Sequence, residues 1–362
     1  MESKSDFWRL GRRPALDGVR GIAILLVLLD HLALGGLSSA GSVGVTVFFT
    51  LSGFLITSLM LEEHEAAGKV NLRAFYLRRA LRLLPALVVF LCVMLIAGWL
   101  IDPGVATPTD VLLALSYFGN WFSAAGFNLH GLAHTWSLAV EEQFYIVWPA
   151  VFVLVARRRQ LRTALLWATG LGSLGFAVVR ALEWDGGRGG RWVYFATEAR
   201  ADALLIGCFA ALWIHRSPDR AASPKLATVA VVALAPLFIT TDFGRAVVLP
   251  TIVPIVAAFL ITCVVRGSYS GWLTTPWLMS VGRRSYALYL WNFPVLWAGV
   301  ALMPGQRGVN TVILLAVSWG LTWMSWKYVE TPFLARRHTS APVPAGEGSE
   351  DVGSSSPSFD PA

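Results

Sequence analysis

The chain has 362 residues, 56% of them hydrophobic and 14% charged, with a mean hydropathy of +0.60. Soluble globular proteins carry about 25% charged residues, so the composition excludes that class and points to a polytopic membrane protein. The net charge of +7 lies in short loops between apolar runs, a positive-inside pattern rather than a nucleic-acid surface.

The apolar runs are continuous and roughly 20 residues long, which predicts helices and not the alternating strands of a barrel. The expected fold class is all-α, a bundle of about ten transmembrane helices. The expected spans are 19–37, 43–61, 82–101, 137–156, 161–181, 200–215, 226–241, 245–265, 284–303 and 309–330. With the amino terminus inside, 23 of the 29 Lys and Arg residues fall on inner segments, which predicts that both termini are cytoplasmic. Residues 1–18 then form a cytoplasmic segment, 19–335 a membrane domain, and 336–362, rich in Ser, Pro, Gly and acids, a disordered cytoplasmic tail.

The first span reads DGVRGIAILLVLLDH. Its apolar run ends in Asp30 and His31, which argues for a retained helix over a cleaved signal peptide. Arg20 and His31 are eleven residues apart, so they share one helix face about 16 Å apart along the axis. Arg20 alone could be a leaflet anchor, but Asp30 and His31 are costly at that depth and usually face a cavity. In the second span, Ser52 and Gly53 suggest close helix packing. YLRRALRLLP brings Arg78, Arg79 and Arg82 together at the start of the third, as a phosphate-binding cluster or a simple stop signal. Val111 to Phe122 is apolar but too short to span, and is expected to be interfacial or re-entrant.

HTWSLAVEEQFY opens the fourth span with Ser137, Glu141 and Tyr145 on one face. Counted from the outer surface, Glu141 and His31 have depths that let them meet. The acids could also be simple partners of the helix dipole. Arg200 and Asp202, two apart, do not face each other and each needs another partner; a boundary ion pair is the plain alternative. Asn292 beside Pro294 predicts a kink or a cavity lining. Cys92, Cys208 and Cys263 lie in apolar runs with no metal-ligand spacing, so buried inert thiols and no metal site are expected.

Taken together, these stretches resemble the acyltransferase-3 family of integral membrane acyltransferases. The resemblance rests on Arg20 and His31, Phe48 to Leu55, the Arg78, Arg79, Arg82 segment, Ser137 to Tyr145, the Arg200, Asp202 pair and the ending Tyr328 to Phe333. It covers about residues 12 to 335, without the soluble hydrolase-like domain that some members carry. One position departs: many members have histidine where this chain has Asn292, and Asn cannot titrate.

The resemblance implies a multi-pass enzyme of a bacterial plasma membrane. It would move an acyl group, most simply acetyl, from acyl-CoA to a hydroxyl of a cell-surface carbohydrate. Arg78, Arg79, Arg82 and Arg20 would hold the donor's phosphates, His31 would act as general base, and Glu141 would orient it. Asp30, Ser52, Ser137, Tyr145, Arg200, Asp202 and Asn292 would line the site, and acyl-CoA would be a co-substrate, not a bound cofactor. A macrolide or another small metabolite is the alternative acceptor. Rivals of other classes are a proton-coupled transporter and a non-catalytic membrane scaffold.

Overall fold

A computed structural model describes residues 9–11, 13–32, 39–156, 160–184, 189–217, 224–232, 243–267, 271–302 and 307–339. Every regular element among them is helical. In chain order these are α1 (Pro14–His31), α2 (Ala40–Ala67), α3 (Leu72–Leu100), α4 (Pro108–Leu115), α5 (Gly119–Ala124), α6 (Trp136–Ala156), α7 (Leu161–Glu183), α8 (Gly189–Phe195), α9 (Ala201–Arg216), α10 (Pro224–Val232), α11 (Leu249–Arg266), α12 (Pro276–Arg283), α13 (Ser285–Leu302), α14 (Arg307–Met324) and α15 (Thr331–Thr339). A 3₁₀ turn, His130–Thr135, leads into α6. A π-helical turn, Ser325–Glu330, joins α14 to α15.

Six of these stretches, among the described residues, are long and apolar enough to cross a membrane: Ala40–Ala67, Leu72–Leu100, His130–Ala156, Leu161–Glu183, Ala246–Arg266 and Asn310–Ala335. The expected spans 19–37, 200–215 and 284–303 appear as the shorter helices α1, α9 and α13, while 226–241 lies largely outside the described residues. Val111 to Phe122 is split between α4 and α5, which break at Tyr117. Of the expected tail, residues 336–339 continue α15 and the remainder lies outside the described residues.

Helix ends follow local chemistry. Pro occupies the first turn of α1, where its missing N–H is no loss. Gly68, at φ +67°, closes α2 by donating to the His64 carbonyl. The Asn71 side chain caps α3 by accepting from the Ala74 N–H, and Thr107 with Asp110 forms a reciprocal box at α4.

α2 is the central stave. It packs on α1, α9 and α11, and 78% of its apolar window is buried, against 22% for α7. The apolar side chains that α3 and α7 leave outward, such as Trp99 and Leu182, are those of a lipid face. Cys92 is exposed on α3, contrary to the expectation of burial, whereas Cys208 and Cys263 are buried.

The α2–α9 contact is backbone on backbone. A Cβ on Gly53 would stand 1.9 Å from the Leu204 carbonyl oxygen, and one on Gly207 would stand 2.0 Å from that of Thr50. Only a hydrogen fits at either point. Gly53→Ala and Gly207→Ala should therefore each destabilise the bundle by about 2 kcal/mol or more, the scale of overpacking. Gly320→Ala, which meets nothing within 4 Å, should not. Thermal midpoints in detergent check all three.

Candidate active site

A cavity of about 670 Å³ opens between α2, α3, α6 and α13. Arg9, Arg20, Arg78, Arg79 and Arg82 lie along it, with Ser52, Glu141, Glu142 and Tyr145. Ser137 and Tyr289 also border it. The Tyr289 hydroxyl donates to the His134 carbonyl and accepts from Ser137 at 2.6 Å.

The arginines are not equivalent. Arg79 Nε lies 2.9 and 3.0 Å from the two Glu142 oxygens, and Nη2 donates to the same carboxylate. Glu141 is a second partner at 3.8 Å, and the guanidinium lies 3.1 Å from the centre of the Tyr145 ring. Two carboxylates and a π face thus compensate its charge. Among the described residues, Arg78 and Arg20 make only long ion pairs, to Glu63 at 3.7 Å and to Asp17 at 3.5 Å.

His31 belongs to a different layer. Its Nδ1 pairs with Asn292 Oδ1. The Asn292 amide nitrogen donates to the Leu288 carbonyl at 2.6 Å and to Tyr289 at 3.3 Å, which fixes the amide oxygen toward the ring. An amide oxygen only accepts, so Nδ1 carries the hydrogen, and in the neutral ring the lone pair is on Nε2. The Asn292 amide is thus engaged at both ends and orients the imidazole without itself titrating.

Glu141 does not sit beside His31 as the depth count suggested. It accepts from the Ser52 hydroxyl and pairs with Arg79 at 3.8 Å, while His31 pairs with Asn292. The count failed because α6 does not begin at the surface: the 3₁₀ turn before it is tucked inside, with His134 and Thr135 nearly fully buried. Asp30 rests against the α2 backbone at Gly41, near the start of that helix.

His31 does not border the cavity. An aromatic series joins the two: Tyr289 to His134 at 5.3 Å between ring centres, His134 to Phe293 at 5.0 Å, and Phe293 to His31 at 5.0 Å. Tyr289 and Asn292 are three residues apart on α13, so the Ser137–Tyr289 wall lies about one turn short of the imidazole.

Arg200 and Asp202 form a third group, and each finds a partner elsewhere. Asp202 pairs with Arg180 at 2.6 Å, with side chains 1% and 0% exposed. Arg180 also donates to the Ala199 carbonyl and the Thr251 hydroxyl, both at 2.7 Å. Arg200 lies between the Trp136 and Tyr194 rings, 5.5 and 5.4 Å from their centres, and reaches Ser42 at 3.4 Å. This cluster is sealed, and it holds α7, α9 and α11 together.

Sequence reasoning passed over Glu142, Tyr289 and Arg180. The doubled glutamate was the available signal for the first. Tyr289 stood one turn before the polar Asn292, and Arg180 was an isolated charge at a span end.

Residues 13–328 match the profile of a family described as Acyltransferase domain. A Staphylococcus aureus (strain COL) protein named "Putative O-acetyltransferase SACOL0978" is 32% identical over 350 residues, 88% of this chain and 57% of the relative. "O-acetyltransferase OatA" of S. aureus (strain NCTC 8325 / PS 47) is 31% identical over 365 residues, 92% of this chain and 60% of the relative. The chain thus spans little more than half the length of these relatives. No solved structure matches it significantly.

The sealed cluster yields a prediction. Asp202→Ala leaves the Arg180 charge buried and unpaired, and should cost about 3–5 kcal/mol. The double change Arg180→Met with Asp202→Leu should recover most of that loss. Thermal unfolding of the purified chain measures both.

Proposed function

Because this chain belongs to the acyltransferase-3 family, we propose that it is a membrane-embedded O-acyltransferase, with acyl-CoA as donor and a cell-surface carbohydrate hydroxyl as acceptor. Acetyl is the simplest acyl group. The observation that carries the reading is the cavity that leads from a cluster of arginines to within about one helical turn of an oriented imidazole.

In this reading ten helices cross a bacterial plasma membrane and both termini are cytoplasmic, as the Lys and Arg distribution favours. The donor enters from the arginine side. Arg20 and Arg78, in long ion pairs, exchange those partners for phosphate, and Arg82 joins them. Arg79 keeps Glu142 and holds the cavity wall. Ser52 and Tyr145 line the passage with Glu141.

The thioester arm extends toward Ser137 and Tyr289. Contact with His31 requires Tyr289 or Phe293 to swing aside when the donor binds. His31 Nε2 then takes the proton of the acceptor hydroxyl as its oxygen attacks the thioester carbon. The C–S bond breaks, an ester C–O bond forms, and the proton passes to the departing CoA thiolate. Asn292 keeps the hydrogen on Nδ1, so Nε2 is the basic atom. Each residue stands in one role, and no covalent enzyme intermediate is needed.

Purified chain in liposomes, given radiolabelled acetyl-CoA and either chitotetraose or a macrolide, tests this. Label should pass to the saccharide. His31→Gln should lower transfer by about 10²–10⁴-fold, the usual worth of a general base, with donor binding retained. Asn292→Leu should lower it less. Full activity of His31→Gln would overturn the assignment, label on the macrolide alone would replace the acceptor, and solute flux without an acylated product would indicate a transporter.

A further inference from the structure

Attack on a thioester builds negative charge on its carbonyl oxygen, and catalysis gains most from a donor aimed at that atom. Around His31 most donors are already committed. The Asn292 NH₂ donates to the Leu288 and Tyr289 carbonyls. The Ser137 hydroxyl donates to Tyr289, and the Tyr289 hydroxyl to the His134 carbonyl.

The His134 side chain is the exception. It is 4% exposed, and neither ring nitrogen completes a hydrogen bond among the described residues. The polar group that faces it is the Leu290 carbonyl of α13, outside hydrogen-bond geometry. A buried polar group left in this state costs about 1–3 kcal/mol, and a phenyl ring would fill the same space without that cost. Its walls are aromatic: Phe90, Tyr289 and Phe293 lie 5.8, 5.3 and 5.0 Å away between ring centres. Trp291 Nε1 is also unpaired, but that ring packs on Phe90, farther from His31 along the aromatic series.

Two of these walls stand between the cavity and His31. Tyr289 borders the cavity, and Phe293 packs on His31 at 5.0 Å. The rings that cover His31 are therefore the rings that cover His134, and displacing either one uncovers it. Displacing Phe293 leaves both imidazoles facing the space of one phenyl ring, enough for an acetyl thioester.

We propose that His134 is a second catalytic residue, whose ring N–H donates to the thioester carbonyl oxygen as charge develops there. This rests on the acyl-CoA reading above. At least one ring nitrogen carries a hydrogen in either protonation state, so the role needs no titration. As the acceptor oxygen attacks the thioester carbon, the carbonyl π pair moves onto oxygen and is held by the His134 N–H. The pair returns as the C–S bond breaks, and the proton on His31 Nε2 passes to the thiolate.

The test is single-turnover transfer from radiolabelled acetyl-CoA to chitotetraose or a macrolide by the full chain in nanodiscs. Donor affinity and thermal midpoint are measured on the same preparations. His134→Phe keeps the packing and removes the N–H. It should slow transfer by about 10²–10³-fold, the usual worth of one such donor, with acetyl-CoA affinity within threefold of wild type. Its midpoint should be unchanged or higher, because no polar group is left unpaired. His134→Gln keeps an N–H without a basic nitrogen, and should transfer at least tenfold faster than His134→Phe. A packing role would instead leave the Phe variant near the wild-type rate.

If His134→Phe does not fold, His134→Leu is set against His134→Gln in its place. A Phe or Leu variant that transfers within threefold of wild type, or a Gln variant no faster than it, overturns this inference alone. Absence of wild-type transfer to either acceptor overturns the acyl-CoA reading with it.

Discussion

Charge inside an apolar bundle has to be compensated by the protein itself, because lipid supplies no alternative partner. That constraint organises this molecule. Arg79 is fixed by Glu142 and stacked on Tyr145. Arg180 is matched to Asp202 in a sealed cluster. The compensated charges divide the interior into a cavity layer that can be wetted and a buried layer that cannot. The arginines left in long ion pairs lie on the cavity, where an anion can compete for them.

The pairing of His31 with Asn292 is the second organising contact. It shows how an amide that does not titrate can still orient an imidazole. An amide whose NH₂ is committed to two backbone carbonyls has one orientation left, and that orientation dictates where the imidazole hydrogen sits. The carboxylate that sequence reasoning gave to His31 serves another residue, because Glu141 belongs to the Ser52 and Arg79 layer.

Much of the fold was legible. Apolar run length fixed an all-helical bundle, and the small pair Ser52 and Gly53 announced close packing that proved to be backbone against backbone at Gly53. The weak Val111 to Phe122 stretch was recognised as unable to span. Depth was the illegible quantity. A span counted from an assumed surface takes no account of a preceding 3₁₀ turn tucked into the protein. Long-range partners such as Arg180 for Asp202 were equally hidden, since helix periodicity relates residues within one helix and not across the bundle.

The unequal burial of the staves has a bearing on the bilayer itself. α2 is enclosed by protein over most of its length, while α7 presents most of its surface outward. A membrane slightly thicker or thinner than the protein's own apolar girth is felt first by the outer helices, which can tilt to absorb the mismatch. The central stave, pinned at Gly53 and Gly207 to α9, has no such freedom. The cavity beside it is thereby insulated from changes in lipid composition that its rim must accommodate.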